Sequence, residues 1–83
     1  LSESLLDENW KVRAKAASGL GQIRATASIL NLERTLQDPK WLVRLQAAAA
    51  LKRMGKEGID VLYRQNPQNA ESYEIAKYIL ALP

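Results

Sequence analysis

The stretch that decides the fold is Leu36-Gln37-Asp38-Pro39-Lys40-Trp41-Leu42-Val43-Arg44-Leu45-Gln46-Ala47-Ala48-Ala49-Ala50-Leu51. Its landmarks occur earlier in the chain at a constant offset of 31 residues. Leu5, Asp7, Trp10, Val12, Arg13, Ala16, Ala17 and Leu20 match Leu36, Asp38, Trp41, Val43, Arg44, Ala47, Ala48 and Leu51. Leu1 and Leu32 add a further match in the same register. A fixed period of this length, with helical spacing inside it, marks an architecture of stacked helical repeats.

Each period reads as two helices. Ile29, Leu32 and Leu36 fall at i, i+3 and i+7, the apolar stripe of a first helix that starts near Thr26 or Ser28. Asp38 is expected as the N-cap of a second helix, with Pro39 at its first helical position. That helix runs to about Met54, with Val43, Ala47, Leu51 and Met54 on its buried face. Gly55 and Gly58 bracket its exit and the start of the next. One period earlier, Asp7 takes the capping role for a helix over Trp10–Gln22, with Val12, Ala16, Leu20 and Ile23 inward. Gly19 and Gly21 weaken that helix intrinsically, which close approach by a neighbouring helix would offset. The chain opens where the first helix of its period should already be under way, so a leading half-helix and a longer parent array are expected.

The third unit is less regular. A short helix is expected over about residues 57–65, then a turn through Asn66-Pro67-Gln68-Asn69, with Asn66 or Asn69 as cap. A last helix reaches about Leu82, and its Ala76 and Leu80 match Ala47 and Leu51 only if the period shortens to 29. Tyr73, Ile75, Tyr78, Ile79, Leu80 and Leu82 point in several directions, unlike the polar outer face of a terminal cap. That edge is expected either to pack on more chain or to meet a partner. The division is one domain with units at about 1–24, 25–55 and 56–83.

"LLDENWKVRAKAASGLGQI" and "LQDPKWLVRLQAAAALKRMG" resemble the HEAT repeat. They are most similar to the short bacterial variety named after the phycobilisome-lyase proteins, with a pattern near L-x-D-x-x-x-x-V-R-x-x-A-A-x-x-L. The resemblance implies an all-α solenoid of antiparallel helix pairs, about two and a half repeats here, whose second helices line an inner surface. It also implies that the recurring Asp and Arg form an architectural ladder. Asp7, Arg13, Asp38 and Arg44 are assigned to it, because Arg13 and Arg44 sit beside the buried stripe within reach of a turn carboxylate.

Composition narrows the function. The chain of 83 residues contains neither cysteine nor histidine. It therefore lacks thiolate ligands, a disulfide framework and the commonest general base. No catalytic group, metal or cofactor is expected. No apolar run approaches the length of a membrane span, and a cytoplasmic location is expected. Residues 26–56 carry six basic groups against two acidic ones, a net +4, and residues 57–83 carry two against four, a net −2. The basic groups are dispersed and form no recognised motif, which argues against a nucleic-acid partner.

A binding surface is the remaining expectation. Lys11, Lys15, Ser18 and Gln22 lie opposite the buried stripe of one helix, and Leu42, Gln46, Ala49 and Arg53 are their counterparts on the next. Leu42 is an apolar side chain where solvent is expected. The candidate site is Lys11, Lys15, Leu42, Gln46 and Arg53, with Trp10 and Trp41 at its rim. Because Trp10 and Trp41 recur at one position, they are read first as packing elements between repeats, with a place at the rim of the inner face as their second role. Lys52 is expected to be plainly exposed. The favoured function is a non-catalytic scaffold binding a protein or peptide partner. A phycobilin-lyase subunit and a helical-repeat nucleic-acid binder are the alternatives.

Overall fold

The computed structural model describes residues 3–83, and its described residues form five α-helices and two short 3₁₀ turns with no strand. The helices are α1 (Trp10–Gln22), α2 (Ile29–Thr35), α3 (Trp41–Arg53), α4 (Lys56–Tyr63) and α5 (Ala70–Ala81). The 3₁₀ turns are Glu3–Leu6 and Thr26–Ser28, the second running straight into α2. Where a leading half-helix was expected, Glu3–Leu6 forms only this tighter turn. The match at Leu1 lies outside the described residues.

Helix α3 is the centre of the molecule. It touches α1, α2, α4 and α5, so α1, α3 and α5 lie side by side while α2 and α4 back them. Its alanine-rich sequence suits this place, because small side chains let four neighbours approach. Val43, Ala47, Leu51 and Met54 are all buried, as the period required. They join Leu20, Leu32, Leu36, Val61, Ile75 and Ile79 in the core.

On α1 the expected stripe holds only in its middle. Ala16 and Leu20 are buried, but Val12 is 36% exposed and Ile23 is 65% exposed. Their counterparts Val43 and Met54 are 0% and 8% exposed. Apolar spacing is the same in both helices, but α3 has neighbours on each side whereas the short Glu3–Leu6 turn covers little of α1.

The helix starts also differ from the expected caps. Asn9, not Asp7, is the N-cap of α1, and its side chain accepts a hydrogen bond from the Lys11 N–H at 2.9 Å. Lys40, not Asp38, holds the equivalent place on α3. The two aspartates act one step earlier. Asp7 Oδ1 accepts the Asn9 N–H at 2.8 Å, and Asp38 Oδ1 accepts the Lys40 N–H at 2.9 Å. Each carboxylate thereby folds the turn that aims the next helix. Asn66 repeats the bond with the Gln68 N–H at 2.9 Å, while Asn69 precedes α5 without a side-chain cap bond.

Two glycines fix close approaches. A Cβ on Gly21 would lie 2.6 Å from Ala50 Cα, so α1 and α3 cross there at backbone distance. A Cβ on Gly58 would overlap the Leu51 carbonyl oxygen, which seats α4 on α3. Between α3 and α4, Gly55 has φ 80° and ψ −148°, a region open only to glycine.

Candidate functional site

The charged ladder is built from one element outward. Arg13 on α1 reaches past its own unit to the turn before α3. Its Nε and Nη2 donate to Asp38 Oδ2 and Oδ1 at 2.7 and 3.1 Å, a bidentate pair largely withdrawn from solvent. Its Nη1 donates to the Asp7 and Glu8 carbonyls at 2.8 and 3.1 Å. The hydrogen bonds that Arg13 donates to Asp38 hold its guanidinium above its ordinary pKa, with burial opposing and the charges of Asp38 and Asp7 adding to the rise.

Arg44 repeats half of this arrangement. Its Nη1 donates to the Asp38 carbonyl at 2.7 Å, as Arg13 does to Asp7. Its Nε is buried and has no hydrogen-bond partner among the described residues. The turn before α5 is made by the amide of Asn66 rather than by a carboxylate. Thus the structure pairs Arg13 with Asp38, whereas, among the described residues, Arg44 donates only to a carbonyl and the Asp7 carboxylate accepts only its own turn N–H.

The proposed binding residues fall along α1 and α3. Leu42, Gln46, Ala49 and Arg53 run at i, i+4, i+7 and i+11 along α3, one row on one helix face. Leu42 and Arg53 are exposed, while Gln46 and Ala49 are half-buried. A narrow groove of about 50 Å³ between α1 and α3 brings Ser18 to Gln46, Ala49 and Arg53. A shallower depression of about 340 Å³ continues from Ala49 and Arg53 to Ile79 and Leu82 of α5. Lys11 and Lys15 are exposed on α1, and Lys15 makes no hydrogen bond or ion pair among the described residues.

The two tryptophans part company. Trp10 is half-buried and has two ammonium groups over its ring, Lys40 Nζ at 5.5 Å and Lys11 Nζ at 5.9 Å. Trp41 is 53% exposed and meets the edge of Tyr78, with ring centroids 6.5 Å apart at 61°. Sequence reading missed Lys40 and Tyr78 as neighbours of these rings, because both contacts cross between units. It also misjudged Lys52. That side chain is half-buried, and its Nζ donates to the Ile79 and Leu82 carbonyls at 3.1 and 2.7 Å, capping the end of α5. No local signal pointed there, since Lys52 lies in the last turn of α3 and reaches the carbonyls of a different helix.

Two layers of short helices joined by tight turns, with a charged pair crossing between units, define a helical-repeat protein. Residues 1–76 match the family described as HEAT repeats. The chain belongs to that family, whose repeats generally mediate protein–protein interaction and are typically non-catalytic. No curated protein and no solved structure matches the chain. Among the described residues no helix is long and apolar enough to cross a membrane.

Proposed function

We propose that this segment is a non-catalytic protein-binding module, made of units at about 1–24, 25–55 and 56–83, whose docking face is the exposed side of α1 and α3. The observation that carries the reading is Leu42. It stands exposed directly after the exposed Trp41, on a helix row with Gln46 and Arg53, which themselves line the groove at Ser18. An apolar side chain and an aromatic ring inside a cationic border offer the desolvated centre that carries interface energy. Lys11, Lys15 and Arg53 supply that border, with the Trp10 ring at its rim beneath Lys11.

The distribution of cations favours a protein over a nucleic acid. Arg13 is committed to Asp38, Lys52 to α5, Lys56 to Asp60 and Arg64 to Glu33. Lys11 and Lys40 gather over Trp10. What remains is too scattered to track a phosphate backbone. The phycobilin-lyase alternative rests on the sequence resemblance alone.

The test is capture of partners from the source lysate, followed by affinity measurement with purified partner across a salt series. Leu42→Asp should weaken binding by about tenfold or more, as for a central apolar contact, and Lys15→Ala by much less. Ligands that were all nucleic acid, lost at moderate salt and indifferent to Leu42→Asp, would overturn the reading.

A further inference from the structure

A second site adjoins this face at the start of α3, on the side of Trp41 that meets α5. Trp41, Arg44, Glu71, Glu74, Ile75 and Tyr78 line a cleft of about 160 Å³. That is room for about five waters, or for the end of one long side chain. The geometry points to a binding site for a cationic side chain, a lysine or arginine of a peptide partner.

The molecule supplies its own comparison. Trp10 and Trp41 occupy the same position of the 31-residue period, each at the first residue of its helix. Trp10 carries two cations from within the chain, Lys11 beside it and Lys40 from the cap position of the following helix. At Trp41 both are gone. The residue beside it is Leu42, and the cap position of the following helix, α5, holds Asn69. In their place stand two carboxylates, Glu71 and Glu74, and the phenol of Tyr78. Both glutamates are exposed, and neither forms an ion pair among the described residues.

The electrostatics admit a cation despite Arg44. Its guanidinium brings one positive charge, and the starts of α3 and α5 roughly half of one each. The two carboxylates balance that sum, so the preference for a cation rests on the indole face of Trp41, whose counterpart Trp10 holds two. A helix start is no bar to a cation in this geometry, since Lys40 stands at the start of α3 and still faces Trp10. The attraction of an ammonium or guanidinium for the indole face adds to the carboxylate contacts. Because the whole chain is net +3, attraction of a cation to this cleft is local rather than a general property of the surface.

This inference rests on the reading of the segment as a protein-binding module and adds the chemistry of one partner side chain. The test is an NMR titration that follows the indole N–H signals of Trp10 and Trp41. The probes are N-acetyl-lysine amide, N-acetyl-arginine amide, the neutral N-acetyl-norleucine amide and the acidic N-acetyl-glutamate amide. The two cationic probes should shift Trp41 and leave Trp10 in place. Glu71→Gln with Glu74→Gln should weaken their binding by about fivefold or more, the scale of one exposed cation–aromatic contact. Leu42→Lys with Asn69→Lys, which restores the arrangement at Trp10, should abolish the response. Equal shifts with norleucine amide would overturn the proposal, as would no shift with any probe. A response to the acidic probe alone would overturn it too, and would assign the cleft to the unpartnered Nε of Arg44. Binding of a whole partner that ignores Leu42→Asp would instead count against the module reading, so the two failures are separable.

Discussion

Arg13 and Arg44 hold the same place in the 31-residue period and differ in what they grasp. Arg13 closes a bidentate pair on Asp38, and Arg44 has one carbonyl and an orphaned Nε. Arg13→Ala would strand the half-buried Asp38 carboxylate and should cost about 2 kcal/mol, while Arg44→Ala should cost about 1 kcal/mol. Urea denaturation of the two variants checks the ranking, and equal losses would refute it. The sign of the pH effect follows from the raised Arg13 pKa. Its contribution is full below the ordinary guanidinium value and is lost only as pH rises through the raised one, so it stays level through neutral pH.

At the scale of elements, the ends of α1 are informative. Arg24 follows the helix at φ 51°, the left-handed position that glycine usually fills. The Ala25 N–H donates to the Leu20 carbonyl at 3.0 Å and the Arg24 N–H to the Gly21 carbonyl at 3.2 Å, which closes the helix. Arg24→Gly should therefore stabilise the protein by about 0.5 kcal/mol, the relief of left-handed strain less the added freedom of the unfolded chain. Gly21→Ala should destabilise it by about 2 kcal/mol or more, because its Cβ would meet the Ala50 backbone, which cannot move aside. Thermal melts of the two variants should shift in opposite directions.

These elements also show what was legible in the sequence. The bounds of α1, the end of α3 and the buried row of α3 follow from local spacing and turn residues, whereas α3 starts at Trp41, two residues after the expected Pro39. Burial of Val12 and Ile23 was not legible, because it depends on what lies beside α1 rather than on α1 itself. The capping roles of Asp7 and Asp38 were misplaced by two residues, since an Asx turn and an N-cap share one residue preference. The partner of Arg13 was equally hidden. Asp7 and Asp38 are equivalent in sequence, and only the stacking of units selects between them. The Trp41–Tyr78 contact and the reach of Lys52 to α5 likewise arise from α5 lying along α3.

For the whole molecule, the central place of α3 sets the cooperativity. Every other α-helix loses a partner when α3 melts. Repeat stacks are held by nearest-neighbour contacts, and here one helix contributes to nearly all of them. Equilibrium unfolding should therefore be a single transition, with helix content by circular dichroism and tryptophan fluorescence tracing one curve. Two separated transitions would show that α1 and α5 are held independently.

The uneven ladder makes the protein mechanically polar. The joint between α1 and the turn before α3 is clasped by a two-pronged ionic grip, whereas the joint toward α5 has no ion pair among the described residues and adds to its apolar packing one ammonium on two carbonyls. A tether pulling on both ends loads these joints in series, so the weaker one yields first. Force spectroscopy should show α4 and α5 peeling away before α1. Asp38→Asn should weaken the clasp and reduce that order, and an unchanged order in this variant would count against the grip as its cause.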